Sequence, residues 1–367
     1  MSDTDVARTV EAASLKDMES MDIDNVYTLM DVQLGERPGP RELYQRWEKQ
    51  NWESYAIDFT EDKQHWEALP DELKSELIFG LFAFFLGEAA VTDTLSPMVH
   101  AAPTDEDRQF LSTQLVDEAR HTIFFDRFFR EVVGVDGLEG ARQVPEVERF
   151  VNPSERGYGI LFYDVLPAVT DAVRLDPGDY GKWVDSIVLY HMLIEGMLAL
   201  YGQRQLLQAA RAFGVLPGFR SGFTAVTRDE SRHVNYGVYA LRIAIGRGLH
   251  DRIVDFTLDN MDPCCDLLTL QPDKIEVPSD EIRAMIPEQL QQQSFWEGWA
   301  FPIFQLRKRL RSAGIQAEAL DRMEQRWWQR TTANVAEYEQ TFGELHPASQ
   351  EDPAIREKAV NGALEVA

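Results

Sequence analysis

The chain has 367 residues, of which 44% are hydrophobic, and it carries a formal net charge of −26 at pH 7. This length suits one large helical domain or two smaller ones, and the apolar fraction is high enough to fill a sizeable core. The strong negative charge argues against nucleic acid and anionic membranes as partners. Only eight lysines stand among 36 basic residues, against 62 acidic ones, a balance that would also fit adaptation to high salt.

The first 70 residues are interpreted as an N-terminal arm and a lid segment. Residues 1–30 are polar and acidic, and they lack the basic start and apolar core of a secretory signal. A predicted turn at residues 35–40 precedes a stretch rich in aromatic and charged residues, which is typical of short helices against a bundle. We therefore expect a cytoplasmic protein.

Residues 71–343 have a helical pattern, without the alternation of apolar and polar residues that indicates strands. The predicted fold class is therefore all-α. A loop or short helix is expected at residues 134–155, and the polar tail at residues 344–367 is expected to be loosely ordered. Helices are predicted near residues 71–99, 105–133, 156–173, 179–212, 219–245, 249–268, 280–312 and 315–343.

A five-residue pattern occurs twice in these helices, as DEARH at residues 117–121 and as DESRH at residues 229–233. In each copy a glutamate and a histidine are three residues apart, so both side chains leave the helix on one face. Two further glutamates, Glu88 and Glu195, are the only charges in the apolar runs at residues 78–92 and 186–202. The run at 78–92 is judged too short to span a bilayer.

A bare carboxylate buried in such a run would be costly, so these glutamates must be protonated, paired or bound to cations. Four glutamates balance the charge of two divalent metals, and carboxylate and imidazole ligands suit iron and manganese. The constellation is typical of a ferritin-like helical bundle. Additional helices are expected around it. One metal is assigned to Glu88, Glu118 and His121, and the other to Glu195, Glu230 and His233.

Further residues are expected close to the metals. Asp117 and Asp229 precede the motif glutamates and are candidates to accept hydrogen bonds from the metal-bound histidines. His191 lies four residues before Glu195, where a hydrogen-bonded neighbour is more common than a seventh ligand. The adjacent Cys264 and Cys265 are predicted to be buried, reduced thiols.

The sequence around these residues resembles the ribonucleotide reductase small-subunit superfamily over roughly residues 45–245. The resemblance rests on EAAVT around Glu88, DEARH, YHMLIEG around Glu195, and RDESRH. Within that superfamily the chain looks nearest to the ligand-binding oxidases that resemble the reductase subunit. Val91 and Tyr190 match these oxidases, in which the two side chains become joined by a tyrosine–valine ether during oxygen activation. On an α-helix, Tyr190 would lie toward the flank of the metal face.

The resemblance implies several further properties. These are a manganese/iron centre with manganese in the first site, or two irons, a bound long-chain fatty acid-like ligand, and reaction with dioxygen. A homodimer is implied as well. Trp52, with Asp58 after it, resembles the tryptophan segment that feeds electrons to the metal site through Asp229 and His121.

Three other functions stay open. A ribonucleoside-diphosphate reductase small subunit of the manganese/iron kind would fit Phe125, which stands where most such subunits have a radical-bearing tyrosine. However, no aromatic residue follows Phe342, and the reductase tail needs one. An amine N-oxygenase would carry an extra histidine where Phe223 and Val226 stand. The third alternative is a non-catalytic metal or ligand carrier.

Overall fold

The structure, a computed structural model, describes residues 1–142, 157–270, 273–275 and 278–361. Within these ranges the regular elements are helices, and no strand is formed, which confirms the all-α fold class. The predicted loop or short helix at residues 134–155 is described only up to residue 142. Its remaining part, which contains Pro145 and Pro153, lies outside the described residues.

The helices follow one another with short connections. Three π-helical segments, Phe129–Val133, Ile160–Val165 and Val188–Ala199, continue or precede α-helices, and Ser54–Ala56 and Pro347–Gln350 are 3₁₀-helical. The α-helices are α1 Asp3–Ala12, α2 Leu15–Ser20, α3 Ile23–Glu36, α4 Pro40–Lys49, α5 Thr60–Ala68, α6 Asp71–His100, α7 Asp105–Phe128, α8 Gly137–Ala141, α9 Leu166–Leu175, α10 Tyr180–Ile187, α11 Leu200–Phe213, α12 Pro217–Gly246, α13 His250–Asp259, α14 Met261–Thr269, α15 Asp280–Met285, α16 Glu288–Gln291, α17 Phe295–Ala313, α18 Ala317–Phe342 and α19 Pro353–Val360.

Four long segments form the centre of the bundle, namely α6, α7, the π-helical segment Val188–Ala199 and α12. Helix α7 begins where the Thr104 side chain accepts a hydrogen bond from the Asp107 backbone N–H. Three acidic residues in its first turn stabilise the helix through their interaction with the positive end of the helix dipole. Helix α12 begins at Pro217, whose fixed φ suits a first helical turn. Nearly every residue of α12 between Phe219 and Val238 is buried, so this helix runs through the middle of the molecule.

The predicted helix at residues 179–212 is continuous, but its middle is π-helical. The segment Val188–Ala199 joins α10 directly to α11. Because π-helical hydrogen bonds connect residues five apart, such residues lie nearly above one another. Tyr190 and Glu195 are related in this way. The α-helical geometry expected for Tyr190 is therefore wrong.

The N-terminal segment is more regular than expected. Its helices α1 to α3 pack onto the bundle, where the Tyr27 hydroxyl donates to the Leu200 carbonyl at 2.7 Å and Ser221 donates to the Leu15 carbonyl at 2.6 Å. Its buried side chains belong to one apolar cluster that extends from Ala7 to Ala359. Segment limits at residues 70 and 343 stay a prediction.

The expectation of a loosely ordered tail is wrong for residues 344–361. His346 is fully buried, and the Trp296 indole N–H donates to the Ala348 carbonyl at 2.8 Å. Glu351 accepts a hydrogen bond from the Phe295 backbone N–H at 2.7 Å, so it caps the start of α17. These contacts attach the tail to α17. Residues 362–367 lie outside the described part.

Two helical runs, Asp71–His100 and Tyr180–Phe213, are long and apolar enough to cross a membrane by length and composition. The most apolar windows of the two runs are 47% and 89% buried inside the molecule. Each run also holds a buried glutamate, Glu88 or Glu195. Buried carboxylates and a packed surface are the properties of core helices in a bundle. The apolar run at residues 78–92, predicted to be too short to span a bilayer, is part of the longer helix Asp71–His100, whose length matches the predicted helix near residues 71–99.

Candidate metal centre

Six side chains from the four central segments meet in the interior of the bundle, and they fall into two groups that could each hold a metal ion. Within each group the ligand atoms all lie within 4.8 Å of one another, and every member is buried. Glu118 and Glu230 belong to both groups. The first group is Glu88, Glu118, His121 and Glu230, and the second is Glu118, Glu195, Glu230 and His233.

The first group is centred on Nδ1 of His121. This atom lies 3.4 Å from Glu88 Oε2, 3.5 Å from Glu118 Oε2 and 3.6 Å from Glu230 Oε1. Such distances are too long for strong hydrogen bonds between four buried polar groups. They leave room for an ion among the oxygens.

The second group is centred on Nδ1 of His233. This atom lies 3.3 Å from an oxygen of each of Glu118, Glu195 and Glu230. The two imidazole rings are 6.2 Å apart between centroids. The two oxygens of Glu118 face different histidines, as do those of Glu230, so both carboxylates can bridge two ions.

Several buried atoms of the cluster lack a hydrogen-bond partner within the described chain. They are Glu118 Oε1, His121 Nδ1 and Glu195 Oε2. Buried polar atoms are rarely left in this condition, and a metal ion is one of the partners that satisfies them. The donor set of carboxylate oxygen and imidazole nitrogen fits manganese and iron.

Burial and the neighbouring charges shift the pKa values of the cluster residues in different directions. Burial raises the pKa of Glu88 to about 8, although His121 opposes this. Burial alone would lower the pKa of His121, but the charge of Glu88 and the hydrogen bond that the ring donates to Asp229 raise it well above its usual value. For Glu118, burial would raise the pKa, but hydrogen bonds from His121 and His233 hold it well below its usual value. Metal binding must therefore displace protons from Glu88 and His121.

The outer nitrogen of each histidine faces an aspartate of the other motif copy. His121 Nε2 lies 3.3 Å from Asp229 Oδ2, and His233 Nε2 lies 3.2 Å from Asp117 Oδ2. An acceptor at Nε2 favours the tautomer whose Nδ1 lone pair points to the metal position. The two copies of the pattern thus orient each other's histidine.

Two arginines that sequence reasoning did not assign connect these aspartates. Arg232 Nη2 donates to Asp117 Oδ2 at 2.8 Å and to Asp229 Oδ1 at 2.7 Å. Arg120 Nη1 lies 3.0 Å from Asp117 Oδ1 and 3.4 Å from Asp229 Oδ2. Burial would raise the pKa of Asp229, but the charge of Arg232 and a hydrogen bond from His121 lower it well below its usual value. An arginine stands at the fourth place of both motif copies. This repetition in the sequence could have been used to predict that the two arginines belong to the site.

Trp52 lies over one end of the site. Its indole N–H donates to Asp229 Oδ2 at 2.7 Å, and its ring is stacked on the His121 ring at 6.4 Å between centroids. The Trp52 side chain thus reaches His121 through Asp229. Asp58 does not contact Trp52 by hydrogen bonding, and instead it accepts from the hydroxyl and backbone N–H of Thr60.

His191 is absent from both metal-binding groups. Its Nε2 lies 3.0 Å from Gln114 Oε1, and Gln114 Nε2 donates to Glu195 Oε1 at 3.1 Å. Burial lowers the pKa of His191 to about 3, so the ring is neutral. His191 is therefore the hydrogen-bonded neighbour that was considered more common. Gln114, one turn before Glu118, was missed because a lone glutamine in a helix gives no signal.

Tyr190 and Val91 are both buried close to the carboxylates. Burial, together with the charges of Glu118 and Glu195, raises the pKa of Tyr190 well above its usual value. Among the described residues, no atom lies in hydrogen-bonding geometry with the buried Tyr190 hydroxyl. Val91 follows Glu88 by one turn and lines a cavity that reaches the cluster.

This cavity has a volume of about 680 Å³ and lies between α6 on one side and the π-helical segment with α11 on the other. The four cluster glutamates form its polar end. Its remaining wall is largely apolar, with Ala83, Phe84, Val91, Ile194, Leu198 and Leu206 among the lining residues. A cavity of this size and lining suits an elongated apolar molecule.

The positions that bear on the alternatives are apolar and buried. Phe125 packs against Phe84 at 6.2 Å and against Phe223 at 5.5 Å between ring centroids. Phe223 and Val226 are fully buried, and their apolar side chains have no atom that could bind a metal. Cys264 and Cys265 are buried and free, which confirms the thiol prediction.

The chain matches the family model described as ribonucleotide reductase, small chain, over residues 36–251. Similar solved structures include the R2-like ligand-binding oxidase from Sulfolobus acidocaldarius, with 22% sequence identity and a TM-score of 0.55. That match covers 77% of this chain and 90% of the oxidase. An R2-like ligand-binding oxidase with an aerobically reconstituted Mn/Fe cofactor has 24% identity and a TM-score of 0.61, over 75% of this chain and 92% of that chain. These structures share the fold.

Proposed function

The chain belongs to the ribonucleotide reductase small-chain family, and we propose that within it this protein is an oxygen-activating di-metal oxidase. The observation that carries the proposal is the buried six-residue cluster, whose carboxylates form the polar end of an apolar cavity. A manganese/iron pair is proposed, because the solved oxidase with the same fold holds a Mn/Fe cofactor. Two irons are the second possibility. Manganese is assigned to the Glu88 side, as the resemblance implies.

The residues of this chain would divide the work as follows. Glu88 and His121 would hold one metal, Glu195 and His233 the other, and Glu118 and Glu230 would bridge them. Asp229 and Asp117 would fix the histidine tautomers. The bound metal pair would supply the electrons that reduce dioxygen. The apolar wall would exclude water from this reaction and hold the ligand.

The ligand is proposed to be a long-chain fatty acid or a similar molecule. An apolar wall suits its alkyl chain, and metal ions among the carboxylates at the polar end would attract its carboxylate head group. Mass spectrometry of an organic extract from the native, metal-loaded protein tests this point. A fatty acid present at about one per chain would support it, and an extract without any lipid would contradict it.

The oxygen reaction is tested by loading the metal-free protein with iron and manganese without air and then adding oxygen. We expect a new visible absorption band and consumption of oxygen. Glu118→Gln is the comparison, because the amide keeps the size of the side chain but loses its charge. An unchanged spectrum in the loaded wild type would contradict an oxygen-activating function, and would favour a metal or ligand carrier.

A covalent bond between Tyr190 and Val91 is proposed as a product of this reaction. The Tyr190 O–H and a Val91 Cβ–H bond would break, a carbon–oxygen ether bond would form, and the two hydrogens with their electrons would pass to dioxygen. The support is that Val91 lines the cavity beside Glu88, while Tyr190 lies near Glu118 in the same buried region. The π-helical geometry aligns Tyr190 with the Glu195 face.

The ether bond has a direct mass signature. The oxygen-exposed wild type should weigh two hydrogens less than the metal-free chain, and peptide mapping should find residues 91 and 190 in one crosslinked product. Tyr190→Phe should keep both metals and lose the mass change. If the wild type reacts with oxygen and no crosslink forms, Tyr190 and Val91 are packing residues only.

A reductase small subunit is the second candidate, and the contact of Trp52 with Asp229 favours it. One observation opposes it. The tail is attached to α17 through Ala348 and Glu351. Ribonucleotide reduction by the loaded protein together with a reductase large subunit would support this candidate. The homodimer and the cytoplasmic location stay predictions.

A further inference from the structure

A second tryptophan is connected to the metal cluster through the other motif aspartate. Trp47 in α4 donates its indole N–H to Asp117 Oδ1 at 2.9 Å. The other oxygen of Asp117 lies 3.2 Å from His233 Nε2. The chain Trp47–Asp117–His233 is thus the counterpart of Trp52–Asp229–His121. Each chain ends at the histidine of a different metal position.

The correspondence extends to the charges around both aspartates. Arg120 and Arg232 each contact Asp117 and Asp229. Asp117 therefore accepts from two guanidinium groups and one imidazole in addition to Trp47. A buried carboxylate with these partners is already stabilised without an indole. The hydrogen bond from Trp47 is therefore not required to stabilise the buried Asp117 carboxylate.

The two tryptophans differ in exposure. Trp52 is only 6% exposed, whereas Trp47 is partly exposed at the surface of α4. The Arg120 guanidinium lies 5.3 Å from the centre of the Trp52 ring and also contacts Asp117 Oδ1, the atom to which Trp47 donates, so its charge acts on both indoles. The ring of Tyr44 lies 5.9 Å from that of Trp47. An external electron donor can therefore reach Trp47 more directly than Trp52.

We propose that Trp47 is the surface relay through which single electrons enter the metal centre on its His233 side. The proposal rests on the proposed function, because the oxidant is the metal centre after its reaction with oxygen. Trp47 gives one electron to that centre and becomes an indole radical, while its N–H proton stays on the indole or moves to Asp117 Oδ1. A one-electron reductant, such as a reduced flavin or iron–sulfur protein, then restores Trp47.

The test uses full-length, metal-loaded protein mixed with oxygen and then with ascorbate as the electron donor. Electron paramagnetic resonance of protein made with ring-deuterated tryptophan shows whether a radical is on an indole. We expect a tryptophan radical in the wild type and its loss in Trp47→Phe. Stopped-flow absorption should also show loss of the fast phase of reduction by ascorbate. Metal content should not change.

Two further variants make the result specific. Trp52→Phe should keep the radical on Trp47, and Trp296→Phe is the matched control, because its indole N–H donates to a backbone carbonyl. Trp47→Tyr should restore electron transfer with a radical on tyrosine. The proposal is overturned if Trp47→Phe matches the wild type in radical yield and in reduction rate. If the wild type itself shows no oxygen-dependent change in absorption, the proposed function fails, and this inference fails with it.

Discussion

At the scale of single residues, the four glutamates are not equivalent. Glu118 and Glu230 belong to both metal-binding groups, whereas Glu88 and Glu195 belong to one group each. A bridging carboxylate that neutralises two ions holds both of them in place. A terminal carboxylate affects mainly its own ion. Loss of one or the other should therefore have different consequences for metal content.

We predict that Glu118→Ala lowers the metal content to below one ion per chain, and that Glu88→Ala leaves about one of the two. Elemental analysis of purified, loaded protein measures this directly. Glu106→Ala is the control on the same helix, because Glu106 is exposed and pairs with Arg41 at the surface. Equal metal content in Glu118→Ala and Glu88→Ala would show that Glu118 is not a bridge.

The residues around the metals could be predicted only where the sequence repeats a local pattern. Glu118 and His121 are one turn apart in any helix, so spacing alone brings them together. Trp47 and Gln114, by contrast, reach their partners Asp117 and Glu195 across 70 and 81 residues of sequence. No local spacing encodes such a contact. Only the arrangement in the folded bundle of α4 beside α7, and of α7 beside the π-helical segment Val188–Ala199, produces these contacts.

At the scale of elements, the long central helices were predicted to within a few residues, but the change from α to π geometry was not. The segment Val188–Ala199 is apolar on all sides, so its hydrophobic pattern has no period that would distinguish the two helices. Gly196 is the residue in this segment where the π-helical backbone leaves no room for a side chain. A Cβ at this position would lie 2.7 Å from the His191 carbonyl oxygen, a backbone atom of the same helix.

Gly196→Ala should therefore destabilise the protein, by about 1–3 kcal/mol, because the backbone must shift to accept the methyl group. The shift would also move Glu195, which follows His191 by one turn and precedes Gly196 directly. Thermal unfolding of the metal-free chain measures the stability. Gly87→Ala is the matched control, since a Cβ there meets only the Phe162 ring at 4.0 Å. The explanation is wrong if both variants unfold at the same temperature as the wild type.

At the scale of the whole molecule, most of the charged side chains lie at the surface. The buried charges are hydrogen-bonded, ion-paired or part of the metal-binding cluster, whereas most of the net charge of −26 is carried by surface carboxylates. Attractive pairs exist at the surface, such as Arg252 with Asp185 at 2.7 Å and Lys182 with Asp176 at 3.0 Å. Even if every basic residue were paired, 26 acidic residues would have no partner of opposite charge. Repulsion among carboxylates should therefore outweigh the attraction of the surface pairs.

Salt weakens both of these contributions, and the two losses change the stability in opposite directions. Screening weakens both the attraction within pairs and the repulsion among unpaired carboxylates, because the Debye length falls from about 30 Å at 0.01 M to about 3 Å at 1 M ionic strength. Since repulsion dominates in this chain, we predict that its melting temperature rises as sodium chloride is increased over this range. The measurement is thermal unfolding of the metal-free protein, so that chloride cannot act through the metals. Potassium chloride at equal ionic strength should have nearly the same effect, because screening depends on charge and concentration. A melting temperature that falls with salt would instead mean that the surface ion pairs dominate and that the acidic composition is not an adaptation to high salt.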